Sequence, residues 1–118
     1  LDMVLDDLQG EEHGCAVLLA HEPDFADAGA ATGRFDLQLS GHSHGGQVRV
    51  PFLGCPFFVP PLSLLVASYV PPLSRKYQSG YYRVGEMHQY TNRGLGIMYT
   101  PFRLNCRPEI TIFTLRAP

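Results

Sequence analysis

Two segments of strand length, residues 15–20 and 35–40, bracket an alanine-rich stretch, and this cadence limits the fold more than any other feature of the chain. The first segment is a continuous apolar run, which suits a strand buried on both faces. After Pro23, residues 24–31 open with Asp24 and are rich in alanine, which predicts a short helix. The second segment is ended by Gly41. Strand, helix and strand in such close succession is the spacing of an α/β sheet. Each strand candidate also runs into a histidine, His21 after the first and His42 after the second. Strand ends of open α/β sheets form the ligand crevice, so the two histidines are expected to meet there.

The rest of the chain reads mostly as β structure. Residues 2–9 place Met3, Val4, Leu5 and Leu8 at helical spacing behind a capping Asp2, which predicts a short helix ending at Gly10. Residues 47–50 read as a short strand stopped by Pro51. Pro51, Pro56, Pro60, Pro61, Pro71 and Pro72 break up a largely apolar stretch and argue against regular structure there. Residues 80–84 and 87–92 read as a hairpin around Gly85 and Glu86. Residues 109–115 alternate Ile110 and Ile112 with threonines, the pattern of a terminal strand.

Composition excludes several function classes. With 118 residues and a formal net charge of −2, the chain suits one modest domain and lacks the basic surface that nucleic acid requires. No apolar run approaches the roughly 20 residues that span a bilayer. Cys15, Cys55 and Cys106 are far apart and odd in number, so neither a disulfide framework nor a thiolate zinc site is expected. Cys15 and Cys106 are expected to be buried, and a reducing compartment is favoured. The opening residues carry neither an initiator methionine nor a signal peptide, so the chain is expected to be part of something larger. Localisation stays open, with a cytoplasmic or membrane-associated setting favoured.

His42 and His44 carry the chemistry. On an extended backbone, residues i and i+2 project to one side, so both rings can reach one inorganic centre. They share one metal, or each binds one of two ions about 3.5–4 Å apart. Gly41 and the Gly45–Gly46 pair permit tight turns and leave backbone N–H groups open to an anionic ligand. His13, in a polar loop, and His88, on a hairpin strand, are read as structural or surface residues. Mononuclear zinc enzymes and cupin barrels also use two histidines at this spacing, so a mononuclear zinc hydrolase of another fold is a further reading.

Residues 36–47 (DLQLSGHSHGGQ) resemble the last signature of the calcineurin-like metallophosphoesterases, in which Gly-His-x-His follows a buried strand. Residues 18–24 (LLAHEPD) resemble the preceding signature, a strand ending in one metal-binding histidine. Arg75-Lys76-Tyr77, Gly80-Tyr81-Tyr82, residues 92–96 and residues 102–109 are similar to the tail of a bacterial branch containing membrane-associated phosphohydrolases, some acting on lipid-linked phosphates. The resemblance covers nearly the whole chain. It implies an α/β fold: the C-terminal half of an αββα two-sheet sandwich, mostly strands with one or two short helices. It implies that His21 and His42 bind one metal and His44 the other, the two divalent ions being manganese, iron or zinc. The activity implied is hydrolysis of a phosphoester, either a phosphodiester or a lipid-linked phosphate or pyrophosphate.

Three motifs of that family do not occur: Asp-x-His, Gly-Asp-x-x-Asp with its bridging aspartate, and Gly-Asn-His. Residues 1–118 are therefore expected to form the C-terminal part of a single domain, to bind metal weakly by themselves and to have little or no activity. The missing N-terminal half or a second copy of the chain is the expected partner. The alternative is a non-catalytic half-domain acting as a binding or regulatory module. Gly41, Gly45, Gln47, Arg103 and Arg107 are candidates for supporting the ligand histidines or touching substrate phosphate. For the arginines, pairing with Glu109 or nearby backbone is preferred, and Asp36 is expected to cap or pair at the start of its strand. The apolar residues 57–70 are a candidate for contact with a membrane surface, or for packing on the missing half or in a dimer interface.

Overall fold

The computed structural model describes residues 14–52, 54–55, 76–97 and 101–116. The helix expected over 2–9, His13 and the apolar segment 57–70 lie outside these residues. The described residues form a mixed α/β fold of one four-stranded sheet and one short helix. Strand β1 (Val17–Leu19) leads through a 3-10 turn (Pro23–Phe25) into helix α1 (Ala26–Ala31), and β2 (Leu37–Ser40) follows. A second 3-10 turn (His44–Gly46) precedes β3 (Gly80–Val84) and β4 (Met87–Thr91). The sheet order is β1-β2-β4-β3. β2 pairs in parallel with β1 and β4, and β3 closes an antiparallel hairpin on β4.

The strand–helix–strand reading holds, with Pro23 and Asp24 opening the helical segment and the Gly33 N–H returning to the Ala30 carbonyl at its end. The hairpin also lies where alternation placed it, with Val84 opposite Met87 and Gly85 at a φ of 59° in the two-residue turn. Helix α1 approaches the sheet closely because residue 29 is glycine. A Cβ there would sit 3.0 Å from Leu18 Cδ2 and 3.4 Å from Gln38 Oε1. The core beneath the helix is small, with Ala26, Phe35, Tyr77 and Met87 buried together and Leu18, Tyr82 and Val84 packed around them. Asp27 fixes the following chain to the helix, accepting from Lys76 Nζ at 2.7 Å and from Tyr77 Oη at 2.9 Å. Those bonds hold its carboxyl below the usual range, Lys76 contributing most.

Three expectations need correction. β1 is an edge strand, not one buried on both faces: Leu19 is 77% exposed and Cys15 is exposed as well. Cys106 is buried as expected. Residues 47–50 make only two isolated bridges, Val48 to Leu104 and Val50 to Gly54, because Gln47 takes a left-handed φ of 52° that breaks an extended run. Residues 109–115 pair with no strand among the described residues. Glu109, Thr111 and Phe113 turn toward Tyr90 while Ile110 and Ile112, the expected inward set, stand exposed. These side-chain contacts, with one backbone bond from Glu109 N–H to the Gly94 carbonyl, hold the segment without a ladder. Among the described residues, no helix is long and apolar enough to cross a membrane.

Candidate metal centre

The parallel pairing of β1 and β2 sets the site. Beyond the ladder proper, Ala20 N–H donates to the Leu39 carbonyl at 3.1 Å and Gly41 N–H to the His21 carbonyl at 3.3 Å. The two chains thus leave the sheet side by side, and their histidines meet at its C-terminal edge. His42 Nδ1 lies 2.9 Å from His21 Nε2, with ring centroids 4.7 Å apart and ring planes at 75°. Two imidazole nitrogens converging this closely fit a single divalent ion, whose bonds to imidazole nitrogen run to about 2.0–2.1 Å. A shallow cleft lined by Leu19, Ala20, His21, Leu39, Ser40 and Gly41 lies beside them. Glu22 Oε2 stands 3.3 Å from the other nitrogen of His42, Nε2.

His44 is held differently. His42 and His44 both take left-handed φ values, 61° and 49°, around a helical Ser43. The backbone between them is therefore coiled, and the extended geometry that was to point both rings to one side does not exist. Ser43 organises the coil, its Oγ donating to the Gln78 carbonyl and accepting from Gly45 N–H at 3.2 Å. Gly46 N–H goes to the Ser43 carbonyl. The N–H groups of Gly45 and Gly46 are consumed inside the turn and are not open to an anion. Gly45 is needed there for a second reason: at a φ of 62°, an added Cβ would come within 2.6 Å of Arg93 Cγ and 2.8 Å of Cys106 Sγ.

Burial lowers the His44 pKa, and the charge of Arg103 adds to this, while a bond to the Gly96 carbonyl opposes it. The ring is therefore neutral at pH 7 and has a lone pair to offer. Among the described residues, no three histidine, cysteine or carboxylate side chains form a cluster able to hold a metal. His21 and His42 come together, and His44 sits in the next turn.

The remaining candidates divide. Arg103 spends its donors on carbonyls, from Nε to Gly96 at 2.9 Å and from Nη2 to Arg93 at 2.8 Å, with Nη2 also 3.4 Å from His44 Nδ1. It braces the His44 turn. Arg93, not Arg103 or Arg107, pairs with Glu109. Arg107 is exposed and has no partner among the described residues. Gln47 donates to the Phe102 carbonyl at 3.1 Å and not to a histidine ring. Gly41 is not in a left-handed conformation, and its N–H is taken by His21. Asp36 accepts from Ala16 N–H at 2.8 Å, the strand-start role expected of it. Sequence reasoning missed Glu22, Ser43, Arg93 and Arg49, whose Nε donates to the Gly45 carbonyl at 2.8 Å. Only Glu22 left a signal, a carboxylate beside a candidate ligand at a strand end.

This geometry defines a mixed α/β protein with a histidine pair on adjacent parallel strand ends. Comparison with curated proteins agrees. The chain is 42% identical over 102 residues to an uncharacterized metallophosphoesterase, YkuE, of Bacillus subtilis (strain 168), covering 86% of this chain and 31% of that protein. It is 41% identical over 99 residues to the phosphodiesterase YaeI of Escherichia coli (strain K12), covering 84% of this chain and 32% of that protein. The chain belongs to the calcineurin-like metallophosphoesterase family, and it corresponds to the C-terminal part of these relatives. It spans about a third of their length. No family model matches the chain, and no solved structure matches it.

Proposed function

We propose that the full-length protein is a dinuclear metallophosphoesterase hydrolysing a phosphodiester, with His21 and His42 holding one divalent ion and His44 the second. The observation that carries this reading is the 2.9 Å approach of His42 Nδ1 to His21 Nε2 at the C-terminal edge of parallel strands. When bound, the metal pair supplies Lewis acidity toward the phosphoryl group and makes a water acidic enough to attack near neutral pH. The protein's part is to present neutral imidazoles and hold them still. His44 is kept neutral by burial, and the Ser43, Gly45 and Arg103 contacts fix its turn. Manganese, iron and zinc are all compatible with imidazole donors.

The described residues supply too few ligands for two ions. In this proposal the remaining ligands come from the preceding part of a single domain, the second sheet of an αββα sandwich. The exposed apolar sheet face carrying Val17 and Leu19 supports that placement. Metal analysis and phosphodiester turnover of the full-length protein and its His42→Ala variant test the reading. Two ions per wild-type chain, with loss of about one ion and at least a hundredfold of turnover in the variant, is the expected result. Unchanged metal content and turnover would refute it. A lipid-linked phosphate is the narrower substrate class, tested by liposome co-sedimentation with and without residues 61–70; absence of binding ends it.

A further inference from the structure

A neutral imidazole has one lone pair, and the partner of one ring nitrogen decides which nitrogen carries it. At His42, Nδ1 faces His21 while Nε2 faces the Glu22 carboxylate at 3.3 Å. A carboxylate has no hydrogen to give and draws a ring hydrogen to the nitrogen nearest its charge, so Nε2 carries the hydrogen and Nδ1 presents the lone pair on the His21 side. The backbone at Glu22 is held by its neighbours. It precedes Pro23 with an extended φ of −81° and ψ of 115°, and its carbonyl accepts from Phe25 N–H at 3.3 Å. Its second oxygen, Oε1, is buried with no hydrogen-bond partner among the described residues, although the side chain as a whole is 46% exposed. A carboxylate oxygen held out of water without a partner costs stability.

We infer that Glu22 is a positioning residue for His42, fixing the tautomer and ring angle that turn Nδ1 toward His21. The inference rests on the reading of His21 and His42 as a ligand pair. A hydrogen on His21 Nε2 accounts for its 2.9 Å contact with His42 Nδ1. Moving that hydrogen to His21 Nδ1 leaves two lone pairs aimed at one point, with no change in the total proton count. Without Glu22, the hydrogen of His42 is free to sit on Nδ1, between the two nitrogens that must converge. Carboxylate–histidine pairs of this kind raise metal affinity by about 10–100-fold where they have been broken by substitution.

The test is zinc affinity of the full-length protein, measured by chelator competition, for wild type, Glu22→Ala, Glu22→Gln and His42→Ala. Glu22→Ala is expected to weaken one zinc site by about 10–100-fold. Glu22→Gln, whose amide oxygen can take the carboxylate oxygen's place beside Nε2–H, is expected to stay within a few-fold of wild type. Wild-type affinity in Glu22→Ala overturns the inference. So does a loss in Glu22→Gln as large as in Glu22→Ala, which would assign Glu22 a role as ligand or charge partner. Glu22→Met replaces alanine should the smaller side chain loosen the turn, with the same two outcomes. His42→Ala separates the levels: if it retains full affinity, the ligand reading itself fails, whereas loss there with none in Glu22→Ala removes only the positioning role.

Discussion

On the face of the sheet beneath α1, Gln38, Ser40, Gln89 and Thr91 are buried, whereas on the opposite face Val17 and Leu19 stand in solvent. Buried polar groups share the first face with the small apolar core, while apolar side chains meet water on the second. The buried polar residues are tolerable because they satisfy one another along their own strands. Gln38 donates to Ser40 at 2.9 Å, Gln89 to Thr91 at 2.8 Å, and Thr91 to the Tyr77 carbonyl at 2.7 Å. Two side-chain carbonyl oxygens, on Gln38 and Gln89, stay without partners among the described residues. The opposite face has no such compensation, and its partial cover is the segment anchored at Glu109. A sheet of this kind is built to be covered twice.

The comparison breaks most visibly at Leu19. If the open face is buried in the full-length protein, Leu19→Asp there costs about 3 kcal/mol or more by denaturant titration, as for any charge placed in a core. A change within about 0.5 kcal/mol would mean that this face meets water, and the contrast would dissolve. On the covered face, Met87 is 2% exposed, and Met87→Ala is expected to cost about 2–5 kcal/mol in the same measurement. An equal response from both positions would show two equivalent core faces.

Acid titration sharpens the comparison next. Burial alone would raise the Glu109 carboxyl, but bonds from Thr111, Tyr90 and Arg93 outweigh it and bring the pKa down from 4.5 to about 2. A depressed carboxylate stabilises the fold above its unfolded pKa and ceases to do so as pH falls through the folded value. About 3 kcal/mol is therefore present above pH 4.5 and lost toward pH 2, and Glu109→Gln should flatten that part of the stability–pH curve. The smallest effect belongs to Gln89→Met. It removes both a buried hydrogen bond and an unpartnered oxygen, and these nearly cancel to within about 1 kcal/mol.

The strands and helix were legible because their signals are local. Pro23 with the alanines marks α1, and alternation about Gly85 and Glu86 marks the hairpin within a residue or so. The meeting of His21 and His42 was legible too, through the rule that parallel strand ends share an edge. The shape of the His42–His44 turn was not. Its left-handed residues are non-glycine, and they are held by distant partners, Gln78 against Ser43 and Arg103 against His44, which no short window contains. The failure of residues 109–115 to form a ladder has the same origin. Alternation of Ile110 and Ile112 with threonines points the isoleucines inward, yet Thr111 turns in and they stay exposed, and a strand also needs a neighbouring edge that no local pattern supplies.

That unladdered segment has a practical consequence. Ile110 and Ile112 are 76% and 89% exposed beside a backbone that pairs with no strand among the described residues. An extended, β-branched edge is a template for edge-to-edge association with another chain. The 118-residue chain handled alone should become colloidally unstable as its concentration rises, and a single lysine at position 112 should widen its soluble range.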